Sequence, residues 1–120
     1  MVYSTLDEVL VHKNDYIEKV RLELREFAMK LLNDDIYFIE GIREIKDRLD
    51  VVSLDDEDCN LFRAIDSDTD DVPVGASRSL WNKEALQKID DKIYNYITSV
   101  KPQVKVVCKK IIKEIDESLL

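Results

Sequence analysis

The stretch LQKIDDKIYNYITSVKPQVKVVCKKIIKEIDESL, residues 86–119, carries the strongest regular pattern in the chain. Its apolar residues recur every three or four positions, as they do on one face of an α-helix. Pro102 lies inside the pattern, where it removes one backbone hydrogen bond and either kinks the helix or splits it in two. The pattern continues through Pro102, which favours a kink, and Asn82 is a suitable cap. The apolar positions are Leu86, Ile89, Ile93, Ile97, Val100, Val104, Val107, Ile111, Ile115 and Leu119.

The amino-terminal third of the chain predicts another long helix. Thr5 and Glu8 have the spacing of a capping box, in which two side chains satisfy free amide groups at a helix start. Apolar residues then follow at helical spacing. We predict a single helix to about Leu32, with a break near Asn14 as the alternative.

A second helix is predicted after a polar cap formed by Asn33, Asp34 and Asp35. Gly41 lies inside its apolar pattern and costs up to ~1 kcal/mol relative to Ala, which favours a close helix crossing at that position. The apolar positions are Ile36, Ile39, Ile42, Ile45 and Leu49.

The middle of the chain predicts a short third helix, with apolar positions at Leu61, Phe62 and Ile65. The segment 66–76 contains four Asp, one Ser, one Thr, Pro73 and Gly75, so it is predicted to be the longest loop. We therefore expect one domain, residues 1–120, with an all-α fold. It is a bundle of four or five helices with a long C-terminal helix and an acidic loop.

The composition supports an all-α fold and excludes several other classes. The chain of 120 residues contains only two Gly. Tight hairpins and glycine-rich phosphate loops are therefore disfavoured, and with them all-β folds and dinucleotide-binding folds. The formal net charge of −8 argues against direct binding to nucleic acid.

The negative charge is concentrated in one segment, residues 55–71, which holds eight acidic residues and one Arg. The segment has a net charge of −7, and the rest of the chain is close to neutral. A local field of this size predicts a surface that binds a basic partner, although a solvated loop that maintains solubility is the simpler alternative. The predicted partner-binding residues are Asp55, Asp56, Glu57, Asp58, Asp66, Asp68, Asp70, Asp71 and, on the long helix, Tyr94.

The aspartates at positions 66, 68 and 70 alternate as they do at the start of a calcium-binding loop. The remaining pattern is missing, because Asp71 stands where that loop has Gly and Ser77 where it has Glu. His12 is the single histidine, and no Cys or Ser stands at catalytic spacing to it. We therefore predict no metal site, no cofactor and no enzymatic activity.

The two cysteines, Cys59 and Cys108, lie far apart in the sequence and have no metal-ligand spacing. Cys108 falls on the apolar face of the long helix and is predicted to be a buried thiol.

Among the aromatic residues, Trp81 is predicted to pack into the core. Tyr94 and Tyr96 could either contact a partner or lie at the rim of the core. The last helix also carries a row of lysines, which we expect to complement acidic residues of the amino-terminal helices. These are Lys101, Lys105, Lys109, Lys110 and Lys113.

No apolar run is long enough for a signal peptide or a membrane span, so the protein is expected in the cytosol, with no membrane as partner. The sequence leaves the oligomeric state open.

The run AIDSDTDDVPVG at residues 64–75, followed by Arg78, Leu80, Trp81, Asn82, Glu84, Ala85 and Leu86, resembles a pattern in small acidic helical proteins of bacteria. Those proteins resemble the immunity proteins of toxin–immunity systems, including contact-dependent growth inhibition. The resemblance implies a cytosolic protein that binds and neutralises one cognate toxin domain, commonly a nuclease. The alternative is a helical adaptor or regulatory module that binds an endogenous basic protein.

Overall fold

The computed structural model describes residues 6–52 and 56–118, with side chains from residue 13 to 52 and from 57 to 118. The elements in chain order are α1 (Leu6–Leu32), α2 (Phe38–Val52), α3 (Asp56–Asp68), a 3₁₀ helix (Gly75–Leu80) and α4 (Lys83–Ser118). The predicted all-α fold is therefore confirmed. None of the helices in these ranges is long and apolar enough to cross a membrane.

Helix α1 is continuous from Leu6 to Leu32, which confirms a single helix without a break near Asn14. It ends in a turn with Asp34 in the left-handed conformation, at a φ of 56°. The N–H of Asp35 donates to the carbonyl of Lys30 at 2.8 Å, closing the end of α1. Residues 33–35 thus terminate α1, and α2 begins only at Phe38, so the prediction that they cap the second helix is wrong.

The core lies where α2 and α4 pack against α1, with α3 covering α2. Gly41 of α2 lies so close to α1 that an added Cβ atom would stand 2.7 Å from Leu31 Cδ2, which confirms the predicted close crossing. The largest fully buried side chains are Phe62, Leu24, Ile39, Ile42, Ile45, Leu49, Ile65, Ile111, Ile115, Val104, Thr69 and Cys108.

Helix α4 is continuous through Pro102, so the proline does not split it. The predicted cap is confirmed, because Asn82 Oδ1 accepts a hydrogen bond of 2.7 Å from the N–H of Glu84. The helix runs antiparallel to α1, since Asp116 near its end pairs with Arg25, whereas Lys101 pairs with Asp34.

The molecule is elongated, with extents of 60 × 34 × 22 Å and a radius of gyration of 17.2 Å. A typical domain of this length has a radius of gyration of about 14 Å. The fully buried residues of α4 all lie between Val104 and Ile115. The first half of α4 therefore continues past the end of α1 and is only partly covered. Arg78 and Tyr37 contact Asp90 there, and Asp68 contacts Tyr96.

Candidate protein-binding surface

The end of α3 is held by two cations from α2. Arg43 Nε lies 3.3 Å from Asp66 Oδ1, and Lys46 Nζ lies 3.4 Å from Asp66 Oδ2. The Arg43 guanidinium also donates to the carbonyl oxygens of Thr69 at 2.6 Å and Val72 at 2.9 Å. One side chain thus ties two backbone carbonyls of the turn after α3 to α2.

The predicted loop over residues 66–76 is accordingly wrong in its extent. Helix α3 continues through Asp68, and residues from Gly75 onward form the 3₁₀ helix. Most of the acidic segment 55–71 is therefore helical, rather than the least structured part of the chain. Helix α3 extends further than predicted because of a tertiary contact: Arg43 and Lys46 neutralise Asp66 and stabilise the last turn of α3.

The turn after α3 alternates buried and exposed side chains. Thr69 is fully buried, and its hydroxyl donates to the carbonyl of Ile65 at 2.7 Å. Val72 is also buried, and its N–H donates to the carbonyl of Thr69 at 3.0 Å. Asp70 and Asp71, between these two anchors, are exposed to solvent. The turn therefore presents two carboxylates on a fixed backbone.

Asp68 is exposed and accepts a hydrogen bond of 2.8 Å from the hydroxyl of Tyr96 on α4. Partial burial of the phenol and the neighbouring Asp68 raise the pKa of Tyr96 to about 12. Asp68 is thereby fixed beside α4. We use the name acidic turn for Asp68, Asp70 and Asp71.

The other predicted acidic residues are placed differently. Asp58 lies 3.0 Å from Lys110 of α4. Glu57 is exposed in the first turn of α3. Asp56 opens α3, but its side chain and the whole of Asp55 lie outside the described residues.

The three alternating aspartates do not converge on a common point. Asp66 pairs with α2, Asp68 accepts a hydrogen bond from α4, and Asp70 makes no hydrogen bond or ion pair with the described part of the chain. Within residues 6–52 and 56–118, no group of three or more His, Cys, Asp or Glu residues could hold a metal ion. Asp71 likewise has no partner there, so the unneutralised charge of the turn is centred on Asp70 and Asp71.

Tyr94 does not belong to this surface. It is 67% exposed and lines a groove of about 550 Å³ with Ile97, Pro102 and the lysines at positions 101 and 105. Tyr96, two residues further on, contacts Asp68, and two residues correspond to about 200° around a helix. Tyr94 therefore faces away from the acidic turn.

The row of lysines on α4 pairs partly as predicted. Lys101 and Lys105 contact the two carboxylate oxygens of Asp34 at 2.8 and 3.3 Å. Hydrogen bonds from these lysines lower the pKa of Asp34. Lys110 pairs with Asp58 of α3 rather than with an amino-terminal helix.

The prediction that Trp81 packs into the core is wrong, because its side chain is 43% exposed and that of Leu80 is 86% exposed. Arg78 fixes the segment instead: it pairs with Asp90 at 2.8 Å, and its guanidinium lies 4.5 Å from the centre of the Tyr37 ring. Sequence reasoning missed Arg78 and Arg43. The sequence does carry one signal that Trp81 is exposed, because the residue lies in a short polar segment outside any helical apolar pattern.

The predicted buried thiol is confirmed. Cys108 is fully buried, and burial raises its pKa to about 12. Cys59 is buried as well, and the two cysteines form no disulfide. The side chain of His12 lies outside the described residues.

Comparison with protein-family models, with curated proteins and with solved structures finds no match to this chain. The resemblance to immunity proteins therefore stays a prediction.

Proposed function

We propose that this chain is an immunity protein that binds a basic toxin domain, a nuclease, and neutralises it in the cytosol. The observation that carries the proposal is the acidic turn, where Asp70 and Asp71 are exposed and unneutralised on a braced backbone. A nuclease active site must attract phosphate groups and is therefore basic. A fixed pair of carboxylates can occupy the same electrostatic field.

The charge of the turn suits long-range attraction. The ion pairs of Asp58 and Asp66 neutralise part of segment 55–71, so the field outside the protein is strongest at the carboxylates that remain. Such steering raises association rate constants to ~10⁸–10⁹ M⁻¹s⁻¹ at low salt. Fast binding suits an inhibitor that must act before a toxin damages its target.

The rigidity of the turn favours affinity. The guanidinium of Arg43 and the buried side chains of Thr69 and Val72 fix the backbone before any partner arrives. Ordering a mobile side chain on binding costs about 0.5–1.5 kcal/mol, and part of this cost is avoided when the surface is already ordered.

Leu80 and Trp81 are candidate apolar anchors for the same interface. A standard interface covers about 800 Å² per partner, which is a patch about 30 Å across. From Asp71 to Leu80 the chain spans at most about 25 Å, because it consists of a short link and a 3₁₀ helix. Both features fit within one footprint, in which buried apolar anchors supply affinity and exposed carboxylates supply speed.

The experiment uses the carboxy-terminal domain of the large exported protein encoded immediately upstream, if the gene lies in such a locus. Purified chain is titrated into this domain and nuclease activity is measured. We expect loss of activity at equimolar ratio, and weaker inhibition by the double variant Asp70→Asn/Asp71→Asn.

The matched control is Asp15→Asn/Asp35→Asn, which removes the same charge from two exposed sites outside the acidic turn. It should inhibit like the wild type. A toxin domain that stays fully active with excess wild-type chain would contradict the proposal. If the gene lies among housekeeping genes and the chain binds the basic product of one of them, the adaptor function is favoured instead.

A further inference from the structure

A second groove of about 550 Å³ lies between α1 and α4, further along α4 than the groove lined by Tyr94. Its apolar lining comes from Met29 and Leu32 on α1 and from Ile112 on α4, and charged side chains form its rim. Met29 is half-buried but lies outside the core cluster. Leu22, which is two helical turns before Met29 on the same face of α1, is about half exposed. Between Leu22 and Met29 the same face carries Arg25 and Glu26, so the apolar patch is confined to the groove.

The protein exposes more surface than its mass requires. Its accessible surface is 8033 Å², whereas a monomer of 14.0 kDa typically exposes about 6,700 Å². The excess of about 1,300 Å² is larger than the ~800 Å² that each partner buries in a standard interface. The elongated chain can therefore bury a full interface and still expose a normal amount of surface.

The rim charges of the groove are ordered along α4. Lys109 and Lys113 come first, and Asp116 and Glu117 follow one to two turns later. Two copies of α4 that cross antiparallel would place the basic end of one rim against the acidic end of the other. A surface with both signs in this order is complementary to itself under a two-fold rotation.

The rim charges are also able to pair with those of a second copy. Lys113 and Glu117 are 77% and 63% exposed, and their mutual contact at 4.0 Å is long. In this pair Lys precedes Glu, which is the weaker order along a helix. Asp116 is already held by Arg25 at 2.6 Å, so Glu117 is the acidic group that can pair outside its own chain.

We propose that this groove is the interface of a homodimer, in which α1 and α4 of each copy pack against the same helices of the other. Met29 and Ile112 form its apolar centre, and Lys113 of each copy pairs with Glu117 of the other. The acidic turn at the end of α3 takes no part, so the dimer does not depend on the proposed toxin binding.

The mass of the purified chain is measured by sedimentation equilibrium from about 1 to about 200 μM. We expect the mass to rise toward twice 14.0 kDa, with a micromolar dissociation constant. Met29→Lys should weaken the dimer by about 100-fold, because it places a charge at the apolar centre, and circular dichroism checks that it stays folded. A wild-type chain that stays monomeric throughout would overturn the proposal.

A charge exchange between copies identifies the contact. Lys113→Glu and Glu117→Lys should each weaken self-association by about 10-fold, since like charges then face each other. Mixing the two variants should restore a dimer, and native mass spectrometry should find one copy of each. Within each variant chain, residues 113 and 117 carry like charges and still repel each other in the mixture. Only the contact between copies can therefore explain the recovery.

Lys83→Glu is the control, because it makes the same change of charge at the far end of α4. It should leave the dissociation constant unchanged. An effect as large as that of Lys113→Glu, or a mixture that forms no mixed dimer, would refute the assigned interface.

Discussion

Replacing Arg43 by methionine tests whether one guanidinium holds the acidic turn in place. Methionine keeps the apolar stem but removes every hydrogen bond to the end of α3. The side chain donates to the carbonyl oxygens of Thr69 at 2.6 Å and of Val72 at 2.9 Å, and it pairs with Asp66.

The size of the effect follows from these contacts. A hydrogen bond from a charged group contributes about 1.5–3 kcal/mol. The Arg43 side chain is 23% exposed, so water can partly replace it and the lower end applies to each of the two bonds. Asp66 keeps Lys46, so the lost ion pair adds little. The expected loss is about 3 kcal/mol of the free energy of unfolding.

Urea unfolding followed by far-UV circular dichroism measures this loss. A domain of this length has a free energy of unfolding of about 6–18 kcal/mol, so the variant should still fold. With a slope near 2 kcal/mol per molar urea, the midpoint should fall by about 1.5 M.

Lys46→Met is the matched control. It also removes one cation from Asp66, but it breaks no bond to a backbone carbonyl, so it should cost less than about 1 kcal/mol. If Arg43→Met were no more destabilising than Lys46→Met, the guanidinium would not be what braces the turn.

Three further predictions follow from single contacts. Gly41→Ala should lower the free energy of unfolding by about 1–2 kcal/mol in urea titrations, because the new Cβ atom would stand 2.7 Å from Leu31 Cδ2; a more stable variant would show that this crossing is loose. Hydrogen bonds, first from Lys101, lower the pKa of Asp34, so its contribution to stability should be full above its unfolded pKa of about 4 and be lost as the pH falls through the lower folded value. Asp34→Asn should therefore be less stable than the wild type at neutral pH but equal to it near pH ~2, and a gap that persists in acid would contradict this origin. The Cys108 thiol should react with a disulfide reagent only as fast as the protein unfolds, since it is fully buried and its pKa is raised to about 12; rapid reaction in the native state would contradict that burial.

The parts of the fold that depend on local rules could be predicted from the sequence. The apolar spacing of α4 and the cap at Asn82 both involve residues close together in the chain, and the structure has both. Gly41 was also recognisable, because a glycine inside a strong helical pattern needs a reason, and close packing is a common one.

The parts that depend on distant residues could not be predicted. The extent of α3 is set by Arg43, which contacts Thr69 although it is 26 residues away in sequence. No feature of the acidic run indicates that contact. The position of Trp81 depends in the same way on Arg78, which fastens the segment to Asp90 and leaves the indole exposed.

The candidate site shows the same division. The sequence located the negative charge correctly, but it could not distinguish carboxylates with partners from those without. Asp66 is neutralised by α2, whereas Asp70 and Asp71 face solvent. Tyr94 was grouped with them on residue type alone, and it lies on another face of α4.

The salt dependence of association with the toxin domain tests whether the acidic turn attracts the partner. Stopped-flow mixing from low to high salt should give a rate constant for the wild-type chain that falls steeply as salt rises, because the attraction of the acidic turn is screened. For Asp70→Asn/Asp71→Asn the rate constant should be about tenfold lower at low salt and should depend much less on salt. The two rates should converge at high salt. Equal rate constants and equal salt dependence for both proteins would show that the acidic turn does not attract the partner.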